Sequence, residues 1–119
     1  MENRHTVEFP EGTSPYRMVY SSCPDAESAE RLVRALVENK LAACVSRLPG
    51  MQSNYLWQGN IEQAVEIGLL IKTRADRLEA LLVCVQELHP YELPEIVAVP
   101  MVQGSRAYFD WIDECLAGP

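Results

Sequence analysis

The sequence predicts an α+β domain with the ferredoxin-like order βαββαβ, an extended central hairpin and one more helix at the C-terminus. Three observations carry this. Ala29, Leu32, Val33, Leu36 and Val37 fall at i, i+3, i+4, i+7 and i+8, the stripe of an amphipathic helix. Ile61 to Thr73 alternates with a period of two, the mark of a strand with two different faces. Between these segments, extended runs of 17 and 13 residues, Leu41 to Trp57 and Ile61 to Thr73, flank the turn residues Gln58-Gly59-Asn60. With 119 residues and 48% hydrophobic content the chain suffices for one compact domain and not two. Residues 1–15 are expected to form a variable tail and 16–119 the single domain.

In chain order, Tyr16 to Ser22 suits a first strand, and Cys23-Pro24-Asp25 closes it with Asp25 as a helix cap. The helix that follows leaves Glu27, Glu30, Arg31, Arg34 and Glu38 for solvent. Pro49-Gly50 interrupts the next strand and reads as a bulge or bend. Leu78, Leu81, Leu82, Val85 and Leu88 mark a second helix from about Ala75 to His89. A fourth strand is expected over Glu95 to Val102, and Ser105 caps a last helix carrying Tyr108, Phe109, Trp111, Ile112 and Leu116. Two helices then cover one face of the sheet, and the other face lacks a cover. The central strands far exceed the usual length of about 5 to 6 residues, so their hairpin projects and calls for a partner. Self-association in a closed ring answers both needs.

A balance of 17 acidic to 10 basic residues, net charge -7, repels phosphate backbones and anionic lipid and favours cations, so neither nucleic acid nor membrane is expected as a partner. Met1 to Ser14 lacks an apolar leader core, and no run approaches the length of a spanning helix. Cys23, Cys44, Cys84 and Cys115 form no Cys-x-x-Cys pair, which excludes a zinc ribbon and points to reduced thiols in a cytoplasmic protein. Cys44 and Cys84, set in apolar stretches, read as small buried hydrophobes.

Function is concentrated in His89-Pro90-Tyr91-Glu92-Leu93-Pro94-Glu95-Ile96, where an imidazole, a phenol and two carboxylates stand between two prolines. Proline fixes its own φ and biases the preceding residue toward extended geometry, so the run is a stiff connector that presents polar groups. Glu62, Glu66 and Lys72 share one strand face, either a row that recognises a ligand or a solvated face with a cross-strand ion pair. His89 reads either as a ligand or as the end of the second helix. Trp57, Tyr91, Tyr108 and Trp111 read first as core or interface anchors. No nucleophile, triad or cofactor fingerprint supports an enzyme, and no organic cofactor is implied.

The segments LAACVSRLPGMQSNYLWQG, IEQAVEIGLLIKT, HPYELPEIVAVP and YFDWI, in this order, resemble the CutA family of divalent-cation tolerance proteins from about Tyr16 to Leu116. The resemblance implies a ferredoxin-like subunit in a tight homotrimer, similar in architecture to the nitrogen-regulatory PII proteins, with links to copper and other divalent cations. It also implies a cleft between subunits, here with Trp57, Glu62, Glu66, Lys72, Tyr91, Glu92 and Glu95 as candidates. A bacterial version of the pattern places a cysteine at the end of the first strand and two histidines before Pro-Tyr. Here Ser21 stands at the cysteine position, with Cys23 two residues on, Leu88 replaces the first histidine, and His89 is kept. The expected metal ligands are therefore His89 and Cys23.

Two classes of function follow. One is a trimeric module that binds copper or another divalent cation, with His89 and a thiol for soft copper or Glu62, Glu66, Glu92 and Glu95 for harder ions. The other is a PII-like sensor or adaptor holding a small anion near Lys72 or an amine near the glutamates.

Overall fold

The computed structural model describes residues 5–118. Strand β1 is Thr6–Glu8, β2 Tyr16–Cys23, helix α1 Ala26–Glu38, β3 Cys44–Trp57 and β4 Asn60–Arg74. A 3-10 turn, Ala75–Arg77, leads into α2, Leu78–Leu88, and then come β5 Val97–Pro100, β6 Gln103–Ser105 and α3 Arg106–Leu116. The main sheet has the order β3-β4-β2-β5 with every pair antiparallel, and β1 and β6 form a separate two-stranded sheet. The split βαβ arrangement is present as expected, with β1 and β6 added to it.

Helix α1 starts where Asp25 accepts a hydrogen bond from the Ser28 amide at 2.7 Å, satisfying one of the donors that a helix start leaves open. Its stripe of Ala29, Leu32 and Leu36 is buried against Val19 and Cys23 of β2, Leu69 and Ile71 of β4, and Leu81 and Val85 of α2. Alternation then assigns the other face of the sheet to Tyr16, Met18, Tyr20, Ser22, Glu66, Leu70 and Lys72. That face is not wholly bare: Phe109, Ile112 and Leu116 of α3 pack on Tyr16 and close one end of it. Val97 and Val99 of β5 remain exposed.

β2 pairs with β4 only from Ile67 to Arg74, so Asn60 to Glu66 have β3 as their sole partner strand among the described residues. The hairpin therefore projects, and the molecule extends 52 × 32 × 23 Å. Its turn has positive φ at both Gln58 (50°) and Gly59 (82°), the combination whose twist matches a tight hairpin. The register shift between Leu48 and Met51 is the bulge expected at Pro49-Gly50.

Several boundaries differ from expectation, three of them with consequences for the site or the core. The fourth strand is only Val97–Pro100, because Pro94 and the extended connector hold Glu95 and Ile96 off the ladder. α2 ends at Leu88, since the residue before Pro90 is pushed out of helical geometry. β1 falls within the segment expected to be a tail: Val7 pairs with Gly104, and Phe9 packs on Tyr16 and Phe109. Gly104 lets the strand approach the Phe109 ring closely, since a Cβ there would come within 3.1 Å of it and press the ring aside.

Candidate functional site: a histidine clasp and an acidic aromatic cleft

The proline-bracketed connector is fastened to the sheet by His89. Its backbone N–H caps α2 by donating to the Val85 carbonyl at 2.8 Å, and φ -73°, ψ 138° turns the chain outward. Its ring Nε2 lies 2.6 Å from the Ser22 carbonyl oxygen, and Nδ1 lies 3.0 Å from the Tyr91 amide nitrogen. A carbonyl only accepts and a backbone amide only donates, so the partners assign a neutral ring with its proton on Nε2. Both ring nitrogens are thereby committed to the backbone, and the ring is buried.

The clasp places Tyr91 over β4. The Tyr91 hydroxyl donates to Glu66 Oε2 at 3.2 Å, and the Ser22 hydroxyl donates to the same oxygen at 3.2 Å. Glu66 is 8% exposed, and among the described residues no basic side chain pairs with it. Burial, and after it the Glu66 charge, pushes the Tyr91 phenol above its ordinary range, which keeps the hydroxyl a donor. Burial raises Tyr20 too, followed by the charges of Glu95 and Glu66, so these two carboxylates bear on one hydroxyl.

Beyond Tyr91 a cleft of about 1070 Å³ opens between the hairpin and the connector, lined by Tyr55, Trp57, Glu62, Pro90, Tyr91, Glu92 and Leu93. Tyr55 is the cross-strand partner of Glu62, and Trp57 follows two residues on, so alternation turns all three to the same side. Leu56, Ile61 and Val65 alternate with them on the opposite, exposed face of the hairpin.

Of the residues expected from sequence, Trp57, Glu62, Tyr91 and Glu92 are brought together around the cleft, and Glu66 sits behind Tyr91. Lys72 does not join them. It lies six residues farther along β4, roughly 20 Å at strand rise, where Nζ donates to Ser46 Oγ at 2.5 Å and approaches Cys44 Sγ at 3.9 Å. Cys23 continues β2 on the face of Ser21, but that is the helix-covered face, where the thiol is wholly buried and burial pushes its pKa up. The burial expected for Cys44 and Cys84 thus belongs to Cys23, for both of them are half-buried. Trp57, Tyr91, Tyr108 and Trp111 are exposed and anchor no core within the chain. Sequence reading missed Tyr55, although its place two residues before Trp57 was visible. It also missed Ser22, whose part depends on a carbonyl meeting a ring 67 residues away.

An antiparallel split βαβ sheet with an overlong hairpin and an acidic cleft beside the hairpin's tip places the chain among ferredoxin-like proteins built around a projecting central hairpin. Residues 17–115 match the family described as CutA1 divalent ion tolerance protein. A relative from Thermus thermophilus, named divalent-cation tolerance protein CutA, is 44% identical over 97 residues, covering 82% of this chain and 94% of its own. The crystal structure of CutA from Xylella fastidiosa is similar with a TM-score of 0.85 and 46% identity, covering 87% of this chain and all (100%) of that one. A protein from Archaeoglobus fulgidus described as periplasmic divalent cation tolerance protein CutA superposes with a TM-score of 0.82 at 37% identity, covering 86% of this chain and 99% of its own. The chain belongs to the CutA1 divalent ion tolerance family.

The residues present do not fit copper at the pair expected from the family pattern. His89 has no lone pair to give without releasing Ser22 or Tyr91, and Cys23 faces the hydrophobic core. Among the described residues no three His, Cys, Asp or Glu side chains gather within metal-binding reach.

Proposed function

We propose that this protein serves divalent-cation tolerance by binding a cation through oxygen donors centred on Glu66, joined by Glu95, whose charge bears on the same Tyr20 hydroxyl, and by further groups from a neighbouring copy in a homotrimer. The observation that carries this reading is the carboxylate of Glu66: it is 8% exposed, one of its oxygens accepts from two neutral hydroxyls, and no basic side chain pairs with it among the described residues. A buried carboxylate without a countercharge is costly, and a bound cation removes that cost. Carboxylate and hydroxyl oxygens favour harder divalent ions over Cu(I). Two apolar surfaces support the homotrimer: Leu56, Ile61 and Val65 on the hairpin, and Val97 and Val99 on the open end of the sheet. Four unpaired cysteines support a reducing, cytoplasmic setting. Nothing in this reading requires a chemical transformation, and we place the protein among binding proteins rather than enzymes.

Calorimetric titration of the reduced protein with Mn(II), Zn(II), Cu(II) and, anaerobically, Cu(I) tests this. Saturable binding of a divalent ion at one site per subunit is expected, weakened about tenfold or more by Glu66→Gln and unchanged by Cys23→Ser. Binding lost in Cys23→Ser and kept in Glu66→Gln would return the site to the thiol.

A further inference from the structure

We propose that the cleft between the hairpin and the connector binds a small organic ammonium ion, a ligand apart from the divalent cation assigned to Glu66. Each wall of the cleft offers the same pair of groups. On the hairpin, Tyr55 stands directly opposite Glu62, with Trp57 two residues along on the same face; on the connector, Tyr91 is followed by Glu92. The lining holds three aromatic rings, two carboxylates and no basic side chain. Neither Glu62 nor Glu92 forms an ion pair among the described residues, so both negative charges are available.

The chemistry discriminates between ligand classes. An anion meets two carboxylates in a protein of net charge -7 and is repelled. A metal ion finds only the carboxylates of Glu62 and Glu92 in a lining otherwise made of aromatic and apolar groups, and ring faces offer no lone pair. A neutral apolar molecule would fill the space and leave the carboxylates without a role. An organic ammonium ion uses both features, its charge against Glu62 and Glu92 and its polarised C–H or N–H groups against the faces of Tyr55, Trp57 and Tyr91.

One wall is set before any ligand arrives. The Tyr91 amide is tied to His89 Nδ1, its hydroxyl is tied to Glu66, and Pro90 stiffens the backbone between His89 and Tyr91. Little ordering is then left to oppose binding. The volume of about 1070 Å³ admits a ligand well beyond the size of a bare ammonium group.

Trp57 reports on the cleft, and Trp111 lies outside its lining, so Trp111→Phe protein carries a single tryptophan, at the site, which can be excited apart from the tyrosines. Tetramethylammonium, choline and spermidine would each be titrated as chlorides against sodium chloride of equal ionic strength. The neutral isostere of choline, 3,3-dimethylbutan-1-ol, is run beside them, and zinc chloride separately. The expected result is a saturable change in Trp57 emission with at least one of the cations and none with the alcohol. Glu62→Gln and Glu92→Gln, both exposed and free to fold, should each weaken the response by about fivefold to thirtyfold. No saturable change with any of the three cations, or an equal response to the alcohol, overturns the proposal. A response to zinc chloride alone overturns it also, because the cleft would then be a metal site. Failure of metal binding at Glu66, read by calorimetry, leaves this outcome untouched.

Discussion

The hydroxyl of Ser21 is fully buried in β2 and has no hydrogen-bond partner among the described residues. An unpaired buried hydroxyl carries a desolvation penalty that a methyl group does not, so Ser21→Ala is expected to keep stability or raise it by about 1 kcal/mol, read from urea midpoints. Tyr16 shows the opposite condition. Its hydroxyl donates to Asp113 Oδ2 at 2.8 Å while Arg74 pairs with the other oxygen of the same carboxylate. Burial first, and the hydrogen bond to Asp113 second, push this phenol up to about 12 from an ordinary value of 10.0. Below pH 10 the ring is neutral in both states and its contribution is whole; between pH 10 and 12 the unfolded chain ionises first and that stability is lost. Urea denaturation across this range should show the decline, and Tyr16→Phe should flatten it. At this scale much was legible in part: Asp25 as a cap and Ser105 as a cap follow from local rules. The clasp of His89 was not, for its partners are a carbonyl and an amide that any residue type supplies.

At the scale of elements, the amphipathic stripe of α1 and the alternation of β4 were readable because each periodicity is a local property. Alternation along β4 changes meaning with position, however. Leu69 and Ile71 are buried beneath the helices, whereas Ile61 and Val65, on the same face by count, are exposed on the projecting hairpin. Strand β1 was invisible in a polar N-terminal stretch, since its pairing with β6 depends on a non-local register. Phe9 carries much of that attachment, with its ring 5.7 Å from Tyr16 and 5.8 Å from Phe109 by centroid. Phe9→Ala is expected to cost about 2 kcal/mol and to loosen β1 first, visible as lost amide protection over Thr6–Glu8 in hydrogen exchange.

For the whole molecule, the prominent feature is apolar surface without a cover in the single chain: Leu56, Ile61 and Val65 on the hairpin, Val97 and Val99 on the sheet. Monomeric proteins seldom leave such area bare. Sedimentation equilibrium should return three times the subunit mass of 13.4 kDa, and the double substitution Ile61→Asp with Val99→Asp should return the subunit mass with the helical signal intact. A wild-type mass equal to one subunit would reject the ring assembly, and with it the groups that a neighbouring copy brings to Glu66.

By itself the sequence determined the order of the core elements, the hairpin that outgrows its sheet and the stiffness of the connector, because hydrophobic period, turn chemistry and proline geometry act over a few residues. Through family resemblance as much as through chemistry it also brought Trp57, Glu62, Tyr91 and Glu92 into view, within a larger set that held Glu66, Lys72 and Glu95 as well. Only the tertiary structure decided that His89 is spent on the backbone, that Cys23 lies in the core and that Lys72 stands far from the cleft. The reason is physical: whether a polar side chain is available depends on what lies opposite it across a strand register or a loop crossing, and those neighbours are distant in sequence.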